Sequence, residues 1–412
     1  MKKFLYALAP LAAAIAALLV ALWGLSFNHP LPFSLLDMQI GSTGLTSGLR
    51  GTIGGQSYAA NAPAGNNDSP LTIVMVGDLL MHSFVQKSGA TECGYNYDHL
   101  FANVKSEIDS ADLAIINQET LLAGEEFGLS GYPLFNAPRE VADAIADAGF
   151  DIVLQATNHS LDRGASGLKS CLEYWSENYP EILTVGCALS ESDAGRIRVA
   201  EAKGIRVAVL NYTYGTNGIP LPESMPWAVS LLEESKVRRD IEKARQEADF
   251  IIVCPHWGIE YSHSPSVEQR RWCEIFLECG ADLVIGTHPH VIQPVEWYER
   301  EDGGRMLVYY SLGNFVNSTS EKGNGICNRM LGGMAKVSLA RDDDGEVYIA
   351  WAGVLPLITQ INEGYGGVTT YLFSDYSEGL ARKNTLLRAR DPKFSYNYCS
   401  ALFRNIFGEF LT

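Results

Sequence analysis

The sequence predicts an α/β fold of several layers built around a mixed β-sheet. Short apolar runs recur along the chain from residue 71, and most have a helical pattern of apolar residues beside them. Near-continuous apolar runs are typical of strands that are covered on both faces. The predicted strands are Thr72–Val76, Leu113–Ile116, Ile152–Leu154, Arg206–Leu210, Phe250–Cys254, Leu283–Ile285 and Leu307–Tyr310.

The joints between predicted helices and strands support this assignment. Val141, Ile145 and Ala148 lie at helical spacing before the third strand. Later in the chain, Met334–Ala340 and Glu346–Trp351 predict an added β-hairpin. Three helix-to-strand joints share one form: Ser110-Ala111-Asp112-Leu113, Glu247-Ala248-Asp249-Phe250 and Gly280-Ala281-Asp282-Leu283.

Composition and charge exclude several classes of protein. The chain has 412 residues, of which 47% are apolar and 19% charged, so it is not wholly disordered, collagen-like or a coiled coil. Lys and Arg number 31 against 48 Asp and Glu, which gives a net charge of −17 at pH 7. An acidic surface repels polyphosphate backbones, so we expect no nucleic-acid partner. The eight cysteines show no C-x-x-C spacing, so no cysteine zinc site is predicted.

The N-terminal segment, residues 1–27, predicts a transmembrane signal anchor. Met1-Lys2-Lys3 precedes a run from Phe4 to Phe27 that contains no charged residue. At 1.5 Å per residue the run reaches roughly 36 Å, against about 30 Å for the hydrocarbon core of a bilayer. The two lysines favour a cytoplasmic N-terminus. We therefore expect a single-pass protein of the cell membrane with the bulk of the chain extracytoplasmic; a cleaved signal peptide and a buried core helix are the alternatives.

The rest of the chain divides into three predicted parts. Residues 28–70 predict a flexible linker rich in Gly, Ser and Asn, and packing of Leu31–Leu36 or Ile53 on the membrane or the domain is the alternative. Residues 71–360 predict the folded domain. Residues 361–412 predict a C-terminal extension that packs on this domain, with contact to a partner or to the membrane surface as the alternative.

Polar side chains collect directly after the predicted strands. Open α/β sheets place their binding sites at the carboxyl ends of strands, so these loops can converge in one crevice. Six of the eight histidines lie at or just beyond a strand. The polar residues at these strand ends include Asp78, His82, Asn117, Glu119, Asn158, His159, Asp162, His256, Glu260, His288 and His290.

This set of side chains predicts a divalent metal site. Nitrogen and oxygen ligands together suit manganese, iron or zinc. Two ions about 3.5–4 Å apart would share a bridging carboxylate and could polarise a phosphoryl oxygen. His288-Pro289-His290 is the strongest single signal, because two imidazoles flank a stiff residue at a strand end. Taken singly, residues also have structural interpretations, such as a helix cap for Asp78 and a satisfied core imidazole for His256.

Six motifs occur in order between about residues 71 and 320. They are Val76-Gly77-Asp78, Asn117-Gln118-Glu119, Thr157-Asn158-His159-Ser160-Leu161-Asp162-Arg163-Gly164, His256-Trp257-Gly258-Ile259-Glu260-Tyr261, Gly286-Thr287-His288-Pro289-His290-Val291-Ile292-Gln293 and Ser311-Leu312-Gly313-Asn314-Phe315. Together they resemble the CapA family of bacterial capsule-synthesis proteins, which is associated with poly-γ-glutamate production.

The resemblance implies a fold like that of the calcineurin-type metallophosphoesterases, and it assigns roles to residues. Asp78 and His290 would bind one ion, and Glu119 would bridge to a second. The second ion would be held by Asn158, His256 and His288. His159 would lie beside the metals as the general acid for the leaving group. Residues expected to line the pocket or touch substrate are His82, Asn117, Asp162, Arg163, Glu260, Gln293 and Asn314; loop capping (Glu260, Gln293) and a structural turn (Asn314) are the alternatives for three of them.

Two positions depart from the phosphoesterase pattern. Those enzymes usually begin with D-x-H, whereas Leu80 stands two residues after Asp78, and His82 stands four after it. Their Asn-His step is usually followed by an acid, whereas Ser160 follows His159 here and Asp162 comes later. These departures bear on catalysis more than on the fold.

Two classes of function remain open from the sequence. The first is a metal-dependent hydrolase or transferase that attacks a phosphoryl or acyl centre during assembly of a capsular polymer. The second is a non-catalytic accessory or export subunit of a capsule polymer synthase, and a generic envelope phosphoesterase is the outside alternative. The expected partners are the capsular polymer or its precursor, synthase or export subunits, and the membrane itself through residues 4–27.

Overall fold

The computed structural model describes residues 69–301, 303–319, 321–362, 367–384 and 389–412. The predicted anchor, and the predicted linker up to residue 68, lie outside these ranges. Within the described part of the chain, no helix combines the length and the apolar character that crossing a bilayer requires.

The strands form two large mixed sheets and one short ribbon. They are β1 (Leu71–Leu79), β2 (Ala90–Thr91), β3 (Gly94–Tyr95), β4 (Leu113–Asn117), β5 (Ile152–Leu154), β6 (Leu183–Val185), β7 (Arg198–Ala202), β8 (Ile205–Thr213), β9 (Phe250–His256), β10 (Leu283–Ile285), β11 (Val295–Glu299), β12 (Arg305–Tyr309), β13 (Asn314–Val316), β14 (Leu331–Arg341), β15 (Val347–Ile361) and β16 (Val368–Leu372).

Helices alternate with the strands of the large sheets, and further helices follow the last strand. They are α1 (Ser83–Ser88), α2 (Lys105–Asp109), α3 (Glu140–Ala148), α4 (Gly164–Asn178), α5 (Glu191–Ala194), α6 (Glu234–Glu247), α7 (Val267–Cys279), α8 (Glu378–Lys383) and α9 (Tyr396–Phe407). Ser266 caps the N-terminus of α7 in a capping box with Gln269, which satisfies backbone donors that the first helical turn leaves free.

Both large sheets have a parallel centre. The first has the order β16-β15-β14-β1-β4-β5-β6. Its strands β1, β4, β5 and β6 are parallel to one another, whereas β14 pairs antiparallel with β1, β15 with β14 and β16 with β15. β13 also pairs with β1. The second has the order β11-β12-β10-β9-β8-β7, with an antiparallel strand at each edge. The mixed α/β fold is therefore confirmed, but the described residues form two large mixed sheets where the sequence predicted one.

The second sheet is buried on both faces, which explains the apolar runs in its strands. Along β9, Phe250 and Ile252 pack in the same core as the first sheet. The alternate residues Ile251 and Val253 pack with α6 and α7 on the other face. Successive side chains of a strand point to opposite faces, so a strand between two layers is apolar at every position.

The repeated joints have a common structural role. The side chain of Asp112 accepts the backbone N–H of Thr72 at 2.7 Å, and that of Asp282 accepts the N–H of Ile251 at 2.9 Å. Asp151 and Asp249 make the same bond to the neighbouring strand, at 2.8 and 3.0 Å. Each aspartate satisfies a backbone donor at the start of a parallel strand pair, and so fixes the register with which the strands enter the sheet.

The chain beyond β13 contributes more to the first sheet than the sequence predicts. β14 and β15 form the expected hairpin, but they are longer than predicted, and β14 pairs with β1 at the centre of the sheet. β16 then adds a strand beyond residue 361. Helix α9 buries Cys399, Phe403 and Phe407 in the same core.

Candidate metal centre

The carboxyl ends of the central strands bring six polar side chains together. Strands that run parallel end at the same edge of a sheet, so the loops that follow them meet there. All six side chains are buried. They come from β1, from the loops after β4 and β5, from the end of β9 and from the loop after β10: Asp78, Glu119, Asn158, His256, His288 and His290.

Asp78 is held by three neighbours at the inner wall of the site. The amide of Asn117 donates to Oδ1 at 2.8 Å, and the backbone N–H of His288 donates to Oδ2 at 3.2 Å. Nδ1 of His290 lies 3.4 Å from Oδ2. The predicted pocket residue Asn117 thus orients the carboxylate.

Glu119 lies between two imidazoles and has no hydrogen-bond donor. Its Oε1 is 3.6 Å from Nε2 of His256 and 3.6 Å from Nε2 of His290. Among the described residues, neither oxygen of Glu119 has a hydrogen-bond partner, and neither does Nδ1 of His288. A buried carboxylate that accepts no hydrogen bond is only partly compensated by imidazoles at 3.6 Å, and this is destabilising. A divalent cation would satisfy these atoms, so the residues fit a metal.

The spacing of the donor atoms agrees with this interpretation. One ligand atom each from Glu119, His288 and His290 lies within 4.8 Å of the other two. The backbone of His288 has φ +95° and that of His290 has φ +57°, conformations that L residues rarely adopt. Strained backbone of this kind collects at functional sites, where the surrounding structure enforces it.

Hydrogen bonds behind the imidazoles fix their orientation. Nδ1 of His256 lies 3.0 Å from the hydroxyl of Thr287, whereas its Nε2 lies inside the site, 2.8 Å from Oδ1 of the candidate ligand Asn158. Nδ1 of His290 lies 3.1 Å from Oδ1 of Asn314. Such contacts set the tautomer and the ring plane of a metal-binding histidine. Asn314, predicted to line the pocket, therefore supports a ligand.

Burial and neighbouring charges shift the pKa values of the site in opposite directions. Burial lowers the pKa of His290, but Glu119 and Asp78 outweigh it and raise the pKa to about 9. Burial, followed by the nearby imidazoles, holds the pKa of His288 well below its usual value. Burial and then Glu119 raise the pKa of Asp78, whereas the histidines, above all His290 and then His256, hold the pKa of Glu119 below its usual range against the opposing effect of burial. His290 therefore carries a proton at pH 7 that a metal ion must displace.

His159 forms a dyad with Asp162 at the edge of the centre. Its Nδ1 lies 2.7 Å from Oδ2 of Asp162, and the same oxygen accepts the backbone N–H of Phe135 at 2.6 Å. The ring of Phe135 meets the imidazole edge-on, with 4.7 Å between the ring centroids. Because Asp162 occupies Nδ1, Nε2 is the nitrogen left to exchange a proton.

A cavity of about 630 Å³ opens beside His290. Two of the predicted pocket residues, His82 and Glu260, line it together with Leu80. Burial, followed by the charge of His290, lowers the pKa of His82 to about 4, so this imidazole is neutral at pH 7.

Two other predicted pocket residues hold loops instead of lining that cavity. The guanidinium of Arg163 donates to the backbone carbonyls of Gly128 and Leu134, at 3.1 and 3.2 Å. The amide of Gln293 donates to the carbonyl of Ser262 at 2.8 Å and accepts from Gln269 at 2.8 Å. Their polar groups are used by carbonyls and amides of the protein, which the sequence alone does not reveal.

The end of β8 and the loop after it contribute residues that the sequence-based prediction missed. Oδ1 of Asn211 accepts the backbone N–H of Ala156 at 2.7 Å and so positions the loop that carries Asn158. Oδ1 of Asn217 accepts from the amide of Asn158 at 3.2 Å. The centroid of the Tyr214 ring lies 4.7 Å from the centroid of the His288 ring. The available signal was that polar residues follow the predicted strand Arg206–Leu210 directly, as they follow the other strands.

These features define a mixed α/β protein with a buried cluster of histidines and carboxylates that could hold a divalent metal. The family model described as "Bacterial capsule synthesis protein PGA_cap" matches residues 72–319. The chain belongs to this family, which confirms the resemblance carried by the six motifs.

Individual relatives agree with this assignment. The capsule biosynthesis protein CapA of Bacillus anthracis is 30% identical over 274 residues, which cover 63% of this chain and 63% of the relative. The PGA biosynthesis protein CapA of Bacillus subtilis is 27% identical over 259 residues, which cover 61% of this chain and 64% of the relative. The match thus spans less than two thirds of the length of these relatives. Among solved structures, the NAD nucleotidase of Haemophilus influenzae is similar with a TM-score of 0.44 and 11% identity, over 82% of this chain and 67% of that chain.

Proposed function

We propose that this protein is a metal-dependent hydrolase or transferase of capsular polymer biosynthesis, anchored in the cell membrane with its folded domain outside the cytoplasm. The observation that carries the enzymatic part is the state of Glu119. Both of its oxygens are buried beside histidines and lack a hydrogen-bond partner among the described residues. A carboxylate in this position is stable where a cation completes it.

The six side chains of the centre are proposed to hold two ions. We assign Asp78 and His290 to one ion and Glu119 to both; Asn158, His256 and His288 then hold the second. The nitrogen and oxygen donors suit manganese, iron or zinc. When bound, such ions polarise a phosphoryl or acyl oxygen of the substrate and acidify water.

His159 has the chemistry of a general acid for the leaving group. Asp162 lies 2.7 Å from Nδ1 and accepts the proton on that nitrogen, which orients the ring so that Nε2 is the nitrogen that would carry a proton to the leaving group. Phe135 packs edge-on against the ring and limits its rotation. Asp162 is a positioning residue in this scheme, because it acts through His159.

The proposed substrate is a capsular polymer of the poly-γ-glutamate type, or its precursor. Family membership supports a role in capsule synthesis, and the Bacillus subtilis relative is named a PGA biosynthesis protein. The uncharged run of residues 4–27 supports the anchor. An anchor would place the site beside synthase or export subunits in the same membrane, which we propose as partners.

Metal content of the full chain, purified in mild detergent, tests the proposal. Elemental mass spectrometry should find near-stoichiometric metal in the wild type and much less in the folded double variant His288→Ala, His290→Ala. His99→Gln is the matched control, because this histidine lies away from the centre and contacts Ser88. The loaded protein should then turn over phosphoesters or glutamyl polymers. Wild-type protein that stays metal-free after exposure to manganese, zinc and iron would refute the proposal.

One observation favours the second candidate, a non-catalytic accessory or export subunit. Leu80 stands where related phosphoesterases carry a histidine, and its buried side chain, 4% exposed, has no ligand atom. A metal centre that lacks one ligand can serve a structural role. Metal-loaded protein without turnover on either class of substrate would support this candidate over the enzyme.

A further inference from the structure

The cavity beside the metal centre is lined by three cationic side chains that none of the six motifs includes: Lys87, Arg329 and Arg390. Arg329 lines it together with His290, and lies 329 − 319 = 10 residues beyond the end of the family match. The chain carries a net charge of −17, so an anionic substrate is repelled unless a local cation offsets that charge. Arg163, the cation within the motifs, is bound to loop carbonyls.

The backbone of Arg329 is tied to the metal centre through one side chain. The amide of Asn314 donates to the carbonyl of Arg329 at 2.8 Å and to the carbonyl of His290 at 3.2 Å. Oδ1 of the same side chain lies 3.1 Å from Nδ1 of His290. A displacement of Arg329 relative to this imidazole would break hydrogen bonds that are buried or partly buried.

The guanidinium is fixed from a second direction by Tyr261. Its central carbon lies 3.6 Å from the centroid of the tyrosine ring, a close cation–π contact. The backbone N–H of Tyr261 donates to the carbonyl of Pro289 at 2.7 Å, between the two histidines of the H-P-H motif. Stacking leaves the edge of the guanidinium, with its N–H donors, to bind an oxyanion in the plane of the group.

The exposed carboxylate of Glu321 occupies this edge of the Arg329 guanidinium. Oε2 of Glu321 lies 3.0 Å from Nη1 of Arg329; the side chain of Glu321 is 62% exposed and that of Arg329 is 14% exposed. An ion pair with one partner so exposed contributes little stability, since water competes for the carboxylate. A carboxylate or phosphate group that enters the cavity can therefore replace Glu321 on a guanidinium that is already in position.

We propose that Arg329, stacked on Tyr261, binds a carboxylate or phosphate group of the substrate beside the metal centre, and that Glu321 occupies Arg329 when no substrate is bound. This inference rests on the proposed function, because it names the anion-binding part of the same site. It goes beyond the metal centre in identifying which cation selects an anionic substrate and what competes with the substrate for that cation.

Calorimetric binding to the full chain tests the inference with three probes: γ-linked triglutamate, the same peptide with its carboxylates amidated, and inorganic phosphate. Loss of a charge-assisted contact in Arg329→Gln should weaken binding of an anionic probe roughly 10- to 100-fold. Glu321→Gln should strengthen it about two- to five-fold, because the competitor is removed. Arg329→Lys should fall between the wild type and Arg329→Gln, since lysine keeps the charge but not the planar donors.

A second arginine–glutamate pair provides matched controls. Arg382 and Glu378 pair at 2.8 Å on α8, with side chains 70% and 60% exposed. Arg382→Gln and Glu378→Gln should bind all probes as the wild type does. If Arg329→Gln behaves like Arg382→Gln, or if the wild type binds neither anion better than the amidated peptide, the inference is overturned.

The two anionic probes separate the sources of the bound group. An effect on the triglutamate alone identifies polymer carboxylates, and an effect on phosphate alone identifies a phosphate ester; either supports the inference. Metal content is measured on every protein. Metal-free wild type whose anion binding is lost in Arg329→Gln would refute the proposed function and leave this anion site standing.

Discussion

Binding of a divalent ion should release a proton from His290, so metal affinity should rise steeply with pH. The pKa of this imidazole is about 9, because Glu119 and Asp78 outweigh the effect of burial. His288 contributes no proton above pH 7, since burial and its neighbouring imidazoles hold its pKa well below the usual value. The site would therefore bind a metal ion in competition with one imidazole proton at neutral pH.

The size of the change in metal affinity follows from the difference between pH 7 and the pKa of His290. That interval is 9 − 7 = 2 pH units, and each unit changes the apparent association constant tenfold, or about 1.36 kcal/mol. The affinity for Mn²⁺ at pH 9 should thus exceed that at pH 7 roughly 50-fold, because half of the His290 imidazoles still carry the proton at pH 9. Above pH 9 His290 is increasingly neutral, so the slope should flatten.

Calorimetry in two buffers of different ionisation enthalpy measures both quantities. Chelator-treated full chain is titrated with Mn²⁺ at pH 7, 8 and 9, and the difference in heat between buffers counts the protons released. We expect about one proton at pH 7 and fewer towards pH 9, with the control His99→Gln unchanged from the wild type. Equal heats in both buffers at pH 7, with an affinity that is constant from pH 7 to 9, would show that His290 is not protonated or is not a ligand.

Four further results are expected. In metal-free protein, His290 stabilises the fold fully below its ordinary pKa of about 6.5 and loses this contribution as pH rises through about 9, so urea unfolding should report a decrease of up to about 3 kcal/mol across that window. Asp162→Asn should lower kcat roughly 10²- to 10⁴-fold on substrates with poor leaving groups, and much less on activated esters, while metal content stays unchanged; equal losses on both would argue against a general acid at His159. Gly77→Ala would place a methyl group 1.9 Å from the carbonyl oxygen of Gly313, directly before Asp78, and should cost about 1–3 kcal/mol of stability together with metal affinity. Phe403→Ala should destabilise the protein by about 3–5 kcal/mol in urea unfolding, because this ring is 1% exposed in the main core; a loss under 1 kcal/mol would mean that α9 is not part of that core.

The centre of the fold could be predicted because its strands obey a simple physical constraint. A strand such as β9, covered on both faces, must be apolar throughout, and its end is marked where polar residues begin. Asp78, Glu119 and His256 were found in this way, and the structure brings them together. The register bonds of Asp112 and its equivalents explain why the helix-to-strand joints looked alike.

Other features depend on contacts that leave no local pattern. β15 contains Gly353 and Pro356, which argue against a strand, yet it pairs with β14 from Val347 to Ile358. Arg163 and Gln293 follow strands as the other site residues do, but their side chains hold loop carbonyls. Arg329 precedes β14, far in sequence from the motif that contains Tyr261, and only the folded chain stacks the two.

Of the two departures from the phosphoesterase pattern, the one that follows His159 is compensated in the structure. Ser160 replaces the acid expected after His159, but residues 159–162 form a turn in which the N–H of Asp162 donates to the carbonyl of His159 at 3.2 Å. This turn brings the carboxylate of Asp162 within 2.7 Å of Nδ1. The orienting acid is thus supplied three residues later, as the proposed general-acid role of His159 requires.

The other departure, Leu80 in place of a histidine, is not compensated in this way. This difference determines how the two proposed functions can be distinguished by experiment. The backbone N–H of Leu80 donates to the carbonyl of Val316 at 3.0 Å, and its side chain lines the cavity without a ligand atom. In the proposed assignment, an ion held by Asp78, Glu119 and His290 would therefore have fewer protein ligands than a second ion, and would be the more weakly held of the two. In an enzyme, an oxygen of the substrate can complete the coordination of such an ion. A non-catalytic accessory subunit carries out no reaction that requires this ligand. Metal stoichiometry measured with substrate present, rather than on the protein alone, is consequently the quantity that distinguishes the two functions.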